Sequence, residues 1–214
     1  MATSTLFDER FEQSTATFYC PLLISFTCTV EILKDFALAS CILGKIVSMK
    51  KIKNILIIDT GGTFNKIYHP INGSLEIDSS SKALKEIATK WMCSIDIQSI
   101  IHKDSLEMTK DDRAFLLKTI GDADVTHIIV LHGTDTIDRS AAYIAEAKLE
   151  KSIVFTGAMV PYSIDPVEAT ANLASAYGYL QALEESGVYI AMHGILESYK
   201  NVKKNRKLGR FEYS

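Results

Sequence analysis

Asn54-Ile55-Leu56-Ile57-Ile58-Asp59-Thr60-Gly61-Gly62-Thr63 is the stretch on which the fold turns. Four successive apolar residues, three of them isoleucine, are followed by a Gly-Gly pair. A run this short, with no polar alternation, suits a strand buried on both faces, as in a parallel sheet. Downstream, helical and strand patterns alternate. Ser80 to Trp91 reads as a helix with Leu84, Ile87 and Trp91 on one face, and Ile95 to Ile101 as a strand. Thr109-Lys110-Asp111-Asp112 opens a helix with a capping threonine and first-turn carboxylates. Thr126 to Leu131 is a strand, Asp138 to Lys148 a helix, Ser152 to Thr156 a strand, Val167 to Glu185 a helix and Val188 to Met192 a strand. This order predicts an α/β fold: one domain, a doubly wound, Rossmann-like parallel sheet of about five strands with helices on both faces, in three layers.

Sheets of this kind place their chemistry beyond the carboxyl ends of the strands. The polar and glycine-rich clusters fall there: Thr60-Gly61-Gly62-Thr63, His132-Gly133-Thr134-Asp135-Thr136 and Thr156-Gly157-Ala158-Met159. A threonine hydroxyl becomes a nucleophile when a base activates it, and glycines let backbone N–H groups approach an oxyanion. Thr63, Thr134, Asp135 and Lys204 form a chemically sensible set for acyl transfer. Each also has a plainer reading. Thr63 closes a Gly-Gly turn, Thr134 satisfies loose backbone groups, Asp135 caps the next helix, and Lys204 is one more solvated lysine. His132 reads as a packed loop histidine without a protonation role. A phosphate loop is unsupported, since neither G-x-x-x-x-G-K-[ST] nor G-x-G-x-x-G occurs.

Composition bounds the rest. The chain has 214 residues, is 47% hydrophobic and 23% charged, and carries a net charge of −3. That charge argues against a domain-wide nucleic-acid surface. The basic run Lys203, Lys204, Arg206, Lys207 and Arg210 reads, by itself, as a solvated tail. Cys20, Cys28, Cys41 and Cys93 form neither a disulfide framework nor a zinc-ligand pattern, which fits a reducing, cytoplasmic setting. Residues 1–48 read as an extension outside the domain, with Met49 as the natural start and the domain occupying 49–214. The apolar stretch Phe18 to Leu43 is broken by Glu31, Lys34 and Asp35, so no membrane span is expected. Leu38-Ala39-Ser40-Cys41 has the form of a lipoprotein cleavage box, but the charges just upstream do not suit a signal peptide.

The pairing of Thr60-Gly61-Gly62-Thr63 with His132-Gly133-Thr134-Asp135-Thr136, in this order on these strand ends, resembles the signature of the L-asparaginase/glutaminase family. Thr156-Gly157-Ala158-Met159 with Pro161 and Asn172-Leu173 is similar to that family's G-A-M-x-P segment and the helix after it. Asp104-Ser105-Leu106-Glu107-Met108 resembles its substrate-contacting loop, and Val202-Lys203-Lys204 the stretch ending in its catalytic lysine. The resemblance runs from about Ile52 to Phe211 and concerns the family's N-terminal domain. It implies an amidohydrolase of amino acid metabolism that converts L-asparagine, and in some members L-glutamine, to the acid and ammonia. It implies Thr63 as nucleophile, Thr134, Asp135 and Lys204 as a second catalytic group, and Ser105, Asp135, Gly62 and Thr134 around the substrate. It implies no metal, no cofactor, no nucleic-acid or membrane partner, and assembly as a homodimer or higher homo-oligomer. There are departures. Leu106 stands where the family has glutamine. The family's loop tyrosine has only Tyr68 as a counterpart, at unmatched spacing. The family's second, smaller domain has no counterpart before Ser214. A catalytically weak or inactive amino-acid-binding protein on the same scaffold is the alternative, and a nucleotide-binding or structural module has only the fold in its favour.

Overall fold

The computed structural model of the protein describes residues 52–92 and 95–214. The expectations for residues 1–48, for a start at Met49 and for all four cysteines lie outside the described residues.

The isoleucine-rich stretch forms strand β1 (Ile55–Gly61) at the interior of the sheet, hydrogen-bonded on both sides. Its side chains alternate between two cores. Ile55 and Ile57 face one, Ile58 the other. Each such fully buried side chain contributes roughly 1.5–3 kcal/mol of apolar burial. Around β1 stand β4 (Asp96–Lys103), β5 (His127–Leu131), β6 (Ser152–Thr156), β7 (Gly187–Met192) and β8 (Ile195–Ser198), in the order β4-β1-β5-β6-β7-β8. The first five are parallel, as the strand–helix alternation predicts. The sheet has one strand more than expected, because β8 turns back antiparallel on β7. The tight turn at His193-Gly194 permits this, with φ of 54° and 78° at its two residues.

Helices α1 (Lys82–Lys90) and α4 (Pro166–Ala182) cover one face through Leu84, Ile87, Leu173 and Leu180. Helices α2 (Lys110–Asp122) and α3 (Ile137–Glu146) cover the other through Leu116, Ile120, Ile137 and Ile144. Local chemistry sets the helix starts. At α2, Thr109 and Asp112 form a reciprocal capping box, and at α4 Asp165 accepts the Val167 N–H with proline at the first turn. No helix among the described residues is long and apolar enough to cross a membrane.

The connections reverse at one point. From β1 the chain passes to β4 on one side, then crosses through α2 to β5 on the other side of β1. Such a reversal opens a crevice beyond the carboxyl ends of the two strands, here β1 and β5. Among the described residues two small hairpins stand beside the sheet: β2 (Lys66–Tyr68) with β3 (Leu75–Ile77), and β9 (Val202–Asn205) with β10 (Arg210–Tyr213). The second corrects the solvated-tail reading of the basic run, for Val202 and Phe211 anchor it in the core. Tyr68 lies exposed on the first hairpin.

Candidate functional site

The Gly61-Gly62 turn requires glycine. Its φ angles are 102° and 81°, a region that L side chains rarely adopt. A buried carboxylate holds the turn from beneath. Asp59 accepts the Gly61 N–H at 2.9 Å, Asn65 Nδ2 at 2.6 Å, Ser81 Oγ at 2.6 Å and Ser99 Oγ at 3.3 Å. Burial pushes the Asp59 carboxyl above its ordinary range, while the Ser81 hydroxyl, the Gly61 amide, Ser99 and Asn65 pull the other way. Thr63 follows directly, half-buried, in a one-turn 3-10 helix over Thr63–Asn65.

Opposite lies the end of β5. A Cβ on Gly62 would stand 2.6 Å from both Cα and N of Gly133, so the two backbones touch. A Cβ on Gly133 would meet Ser105 Cβ at 2.7 Å, and one on Gly157 would meet His132 O at 2.3 Å. Four segments therefore converge at the crevice by glycine-mediated backbone contact. A kink in β4 delivers Ser105. Ile101 and His102 have φ of 69° and 54°, after which Lys103 pairs again with Gly61. His132 is fully buried and donates from Nδ1 to Gly133 O at 2.7 Å. Desolvation lowers its pKa to about 4, so the ring is neutral at neutral pH, as a packed loop histidine should be.

The threonines of the three clusters divide into two kinds. Thr60 donates to Leu131 O at 2.8 Å, Thr136 to Ser105 O at 2.7 Å and Thr156 to Ala191 O at 2.8 Å. These hydroxyls tie strand ends together. Thr134 instead receives Lys204 Nζ at 2.8 Å, and Thr63 makes no side-chain hydrogen bond among the described residues. Lys204 also reaches Asp135 Oδ1 at 3.0 Å, with its side chain only 13% exposed. The β9–β10 hairpin thus carries a lysine from far along the chain into the crevice. It carries a second cation as well. Arg206 donates to Asp135 Oδ1 at 3.0 Å and to Asp135 O at 2.7 Å.

The structure therefore brings Gly62, Thr134, Asp135, Ser105 and Lys204 together at the carboxyl ends of β1 and β5, with Thr63 at the residue after Gly62. Asp135 does not cap α3: Thr136 occupies that position, and Asp135 pairs with the two cations. Ser105 is buried, and its Oγ accepts the Asp135 N–H at 3.2 Å, while Leu106 and Glu107 of that loop are exposed. Sequence reasoning missed Asp59, Arg206, Glu168 and His193. The first follows a hydrophobic run and the second lies in a charged run, so neither carries a local signal. Glu168 accepts the Met159 and Val160 N–H groups at 2.9 and 3.0 Å and so holds the Gly157-Ala158-Met159 turn. Among the described residues no group of three or more His, Cys, Asp or Glu is placed to hold a metal ion.

Residues 54–210 match the family model described as asparaginase, N-terminal. The chain belongs to the asparaginase family. It is 25% identical over 187 residues to L-asparaginase 2 of Escherichia coli (strain K12), covering 82% of this chain and 53% of that protein. It is 24% identical over 176 residues to the glutaminase-asparaginase of Pseudomonas aeruginosa, covering 75% and 48%. Among solved structures it resembles the thermostable L-asparaginase from Thermococcus kodakarensis, with a TM-score of 0.66 and 22% identity over 75% of this chain and 51% of that one. At that identity the structural likeness speaks for the fold alone. This asparaginase-family chain spans about half the length of the curated relatives it matches.

Proposed function

We propose that the protein is an amidohydrolase that converts L-asparagine and water to L-aspartate and ammonia through an ester on Thr63. The observation that carries this reading is Lys204 bonded to both Thr134 Oγ1 and Asp135 Oδ1 beside the Gly62–Gly133 contact. In the proposed reaction the Thr63 hydroxyl attacks the side-chain amide carbon. The amide nitrogen leaves as ammonia, taking the proton that the hydroxyl gives up. Water then cleaves the ester, activated by the Thr134–Lys204 pair, and restores Thr63. Asp135 holds the substrate's ammonium group. Backbone N–H groups around Gly62 and Thr134 stabilise the oxyanion, at about 3 kcal/mol per donor. Geometry matters as much as composition, since near-attack placement is worth about 7–11 kcal/mol. A homodimer that covers the crevice would supply part of that placement.

A second reading is a catalytically weak or inactive amino-acid-binding protein on the same scaffold. The exposed Leu106, in place of the family's glutamine, and Arg206, which shares the carboxylate that the substrate's ammonium would need, both weigh against fast turnover. Ammonia release from asparagine and from glutamine, measured on wild type, Thr63→Ala and Lys204→Met with folding checked by circular dichroism, separates the two. Turnover by wild type and a loss of about a hundred-fold or more in each variant is expected. Equal rates in all three would end the mechanism. Binding of asparagine without turnover would hand the site to the second reading.

A further inference from the structure

We propose that His193 is a positioning residue for Lys204, acting through the backbone of Phe211; the inference rests on the hydrolytic reading above. His193 occupies the β7–β8 turn at a φ of 54°. Its backbone N–H donates to Asn172 Oδ1 at 2.9 Å, and Asn172 Nδ2 donates to Gly157 O at 3.0 Å. The ring Nε2 lies 2.9 Å from Glu168 Oε1. The Phe211 N–H donates to the ring Nδ1 at 3.2 Å, and the two rings meet edge to face at 5.8 Å.

These contacts fix the tautomer. Nδ1 accepts from a backbone N–H, so it holds a lone pair and the ring proton sits on Nε2, facing the Glu168 carboxylate. His193 thereby joins α4 to β10. Phe211 is the residue of β10 paired with Lys204 of β9. The β9–β10 hairpin is a two-stranded unit outside the main sheet, and such a unit holds its place through outside contacts. Val202 and Phe211 supply apolar ones, which tolerate sliding, and Arg206 reaches Asp135 from the exposed end of the hairpin. The Nδ1 bond is directional and lies at the strand position opposite the lysine. On the other flank, Glu168 and Asn172 fix the Gly157 turn against which Thr134 packs, a Cβ on Gly157 standing 3.5 Å from Thr134 Cγ2. His193 thus touches both the strand opposite Lys204 and the two residues that hold the loop facing it.

Two conservative variants split the ring's duties. His193→Asn places an acceptor where Nδ1 stands, suits a positive φ, and gives up Glu168. His193→Gln reaches Glu168 and gives up the Phe211 N–H. Ammonia release by the full chain is measured, with melting temperature recorded for each variant. Gln is expected to lower kcat about ten-fold or more, because a misplaced lysine slows chemistry; KM shifts less than kcat, by no more than the loss of the Lys204 and Arg206 contacts with Asp135 allows. Asn is expected to keep kcat within about three-fold. Equal kcat in Asn and Gln at equal melting temperature, or a change in KM alone, overturns the inference. A second readout needs no turnover. Acetylation of Lys204 by acetic anhydride, followed by mass spectrometry, should be severalfold faster in Gln than in wild type, and unchanged in Asn. If wild type releases no ammonia, the proposed reaction fails by itself. The labelling rates then decide the positioning claim: equal rates in wild type and Gln sink it.

Discussion

The convergence of the two threonine loops stands or falls on glycine, and three alanine substitutions separate its components. Gly209 has a φ of 61° and nothing within 4 Å of an added Cβ, so Gly209→Ala meets backbone strain alone, about 1 kcal/mol. Gly133 lies outside the left-handed region, but its Cβ would stand 2.7 Å from Ser105 Cβ and 2.9 Å from Ser105 N, a collision worth about 1–3 kcal/mol. Gly62 combines both, with a φ of 81° and backbone atoms at 2.6 Å that cannot swing aside as a side chain would. Gly62→Ala should therefore cost about 3 kcal/mol or more. In a domain of this size that lowers the melting temperature by about 6–12 °C, against about 2–4 °C for Gly209→Ala. The double variant Gly62→Ala, Gly133→Ala should cost less than the sum of the two, because the loops need part only once. Calorimetry or urea unfolding at neutral pH reads all four. A Gly62→Ala protein as stable as Gly209→Ala would mean that the ends of β1 and β5 do not touch, and the shared site for Thr63 and Thr134 would go with it.

Burial of His132 makes stability depend on pH. The unfolded chain takes up a proton below about 6.5, while the folded ring takes none until about 4, so stability is present above the first value and is lost as pH falls toward the second. Wild type should lose about 2 kcal/mol more than His132→Leu between pH 7 and pH 5, and parallel urea curves for the two would refute this. At Asp135, Arg206→Gln removes an exposed cation from the carboxylate proposed to take the substrate's ammonium. The KM for asparagine should fall by up to about five-fold, the worth of an exposed ion pair; an unchanged or raised KM would show that the guanidinium does not compete.

Much of the fold was legible because it rests on local patterns. The run through Ile58 is apolar on both faces, and Thr109 with Asp112 writes its own helix start. Both formed where the sequence indicates. The antiparallel β8 was not legible, since Ile195–Ser198 holds a single β-branched residue and nothing in it states direction. The β9–β10 hairpin was illegible by charge. Lys203, Lys204, Arg206, Lys207 and Arg210 make a polar run, and what draws it inward is Val202 and Phe211, two isolated apolar residues whose partners lie on distant strands. Long-range burial of this kind leaves no periodic mark.

The site shows the same limit at the level of single hydroxyls. Thr60, Thr63, Thr134, Thr136 and Thr156 all flank glycines or strand ends, and nothing local tells a hydroxyl that ties backbone from one that does not. Thr60, Thr136 and Thr156 are ties, each donating to a carbonyl of another segment. A hydroxyl so engaged has its proton committed to a carbonyl, which cannot take it as a base would, and this makes it a poor nucleophile. Thr134 is oriented by a lysine instead, and Thr63 makes no side-chain hydrogen bond among the described residues. On the proposed mechanism the division is functional. In it the Thr63 hydroxyl approaches the carbonyl carbon, and the one held by Lys204 passes a proton. The neighbouring threonines hold the strand ends rigid enough for that difference to count. Which threonine takes which part is decided by partners far away in sequence: the Leu131, Ser105 and Ala191 carbonyls on one side, and Lys204 on a hairpin some seventy residues beyond Thr134 on the other.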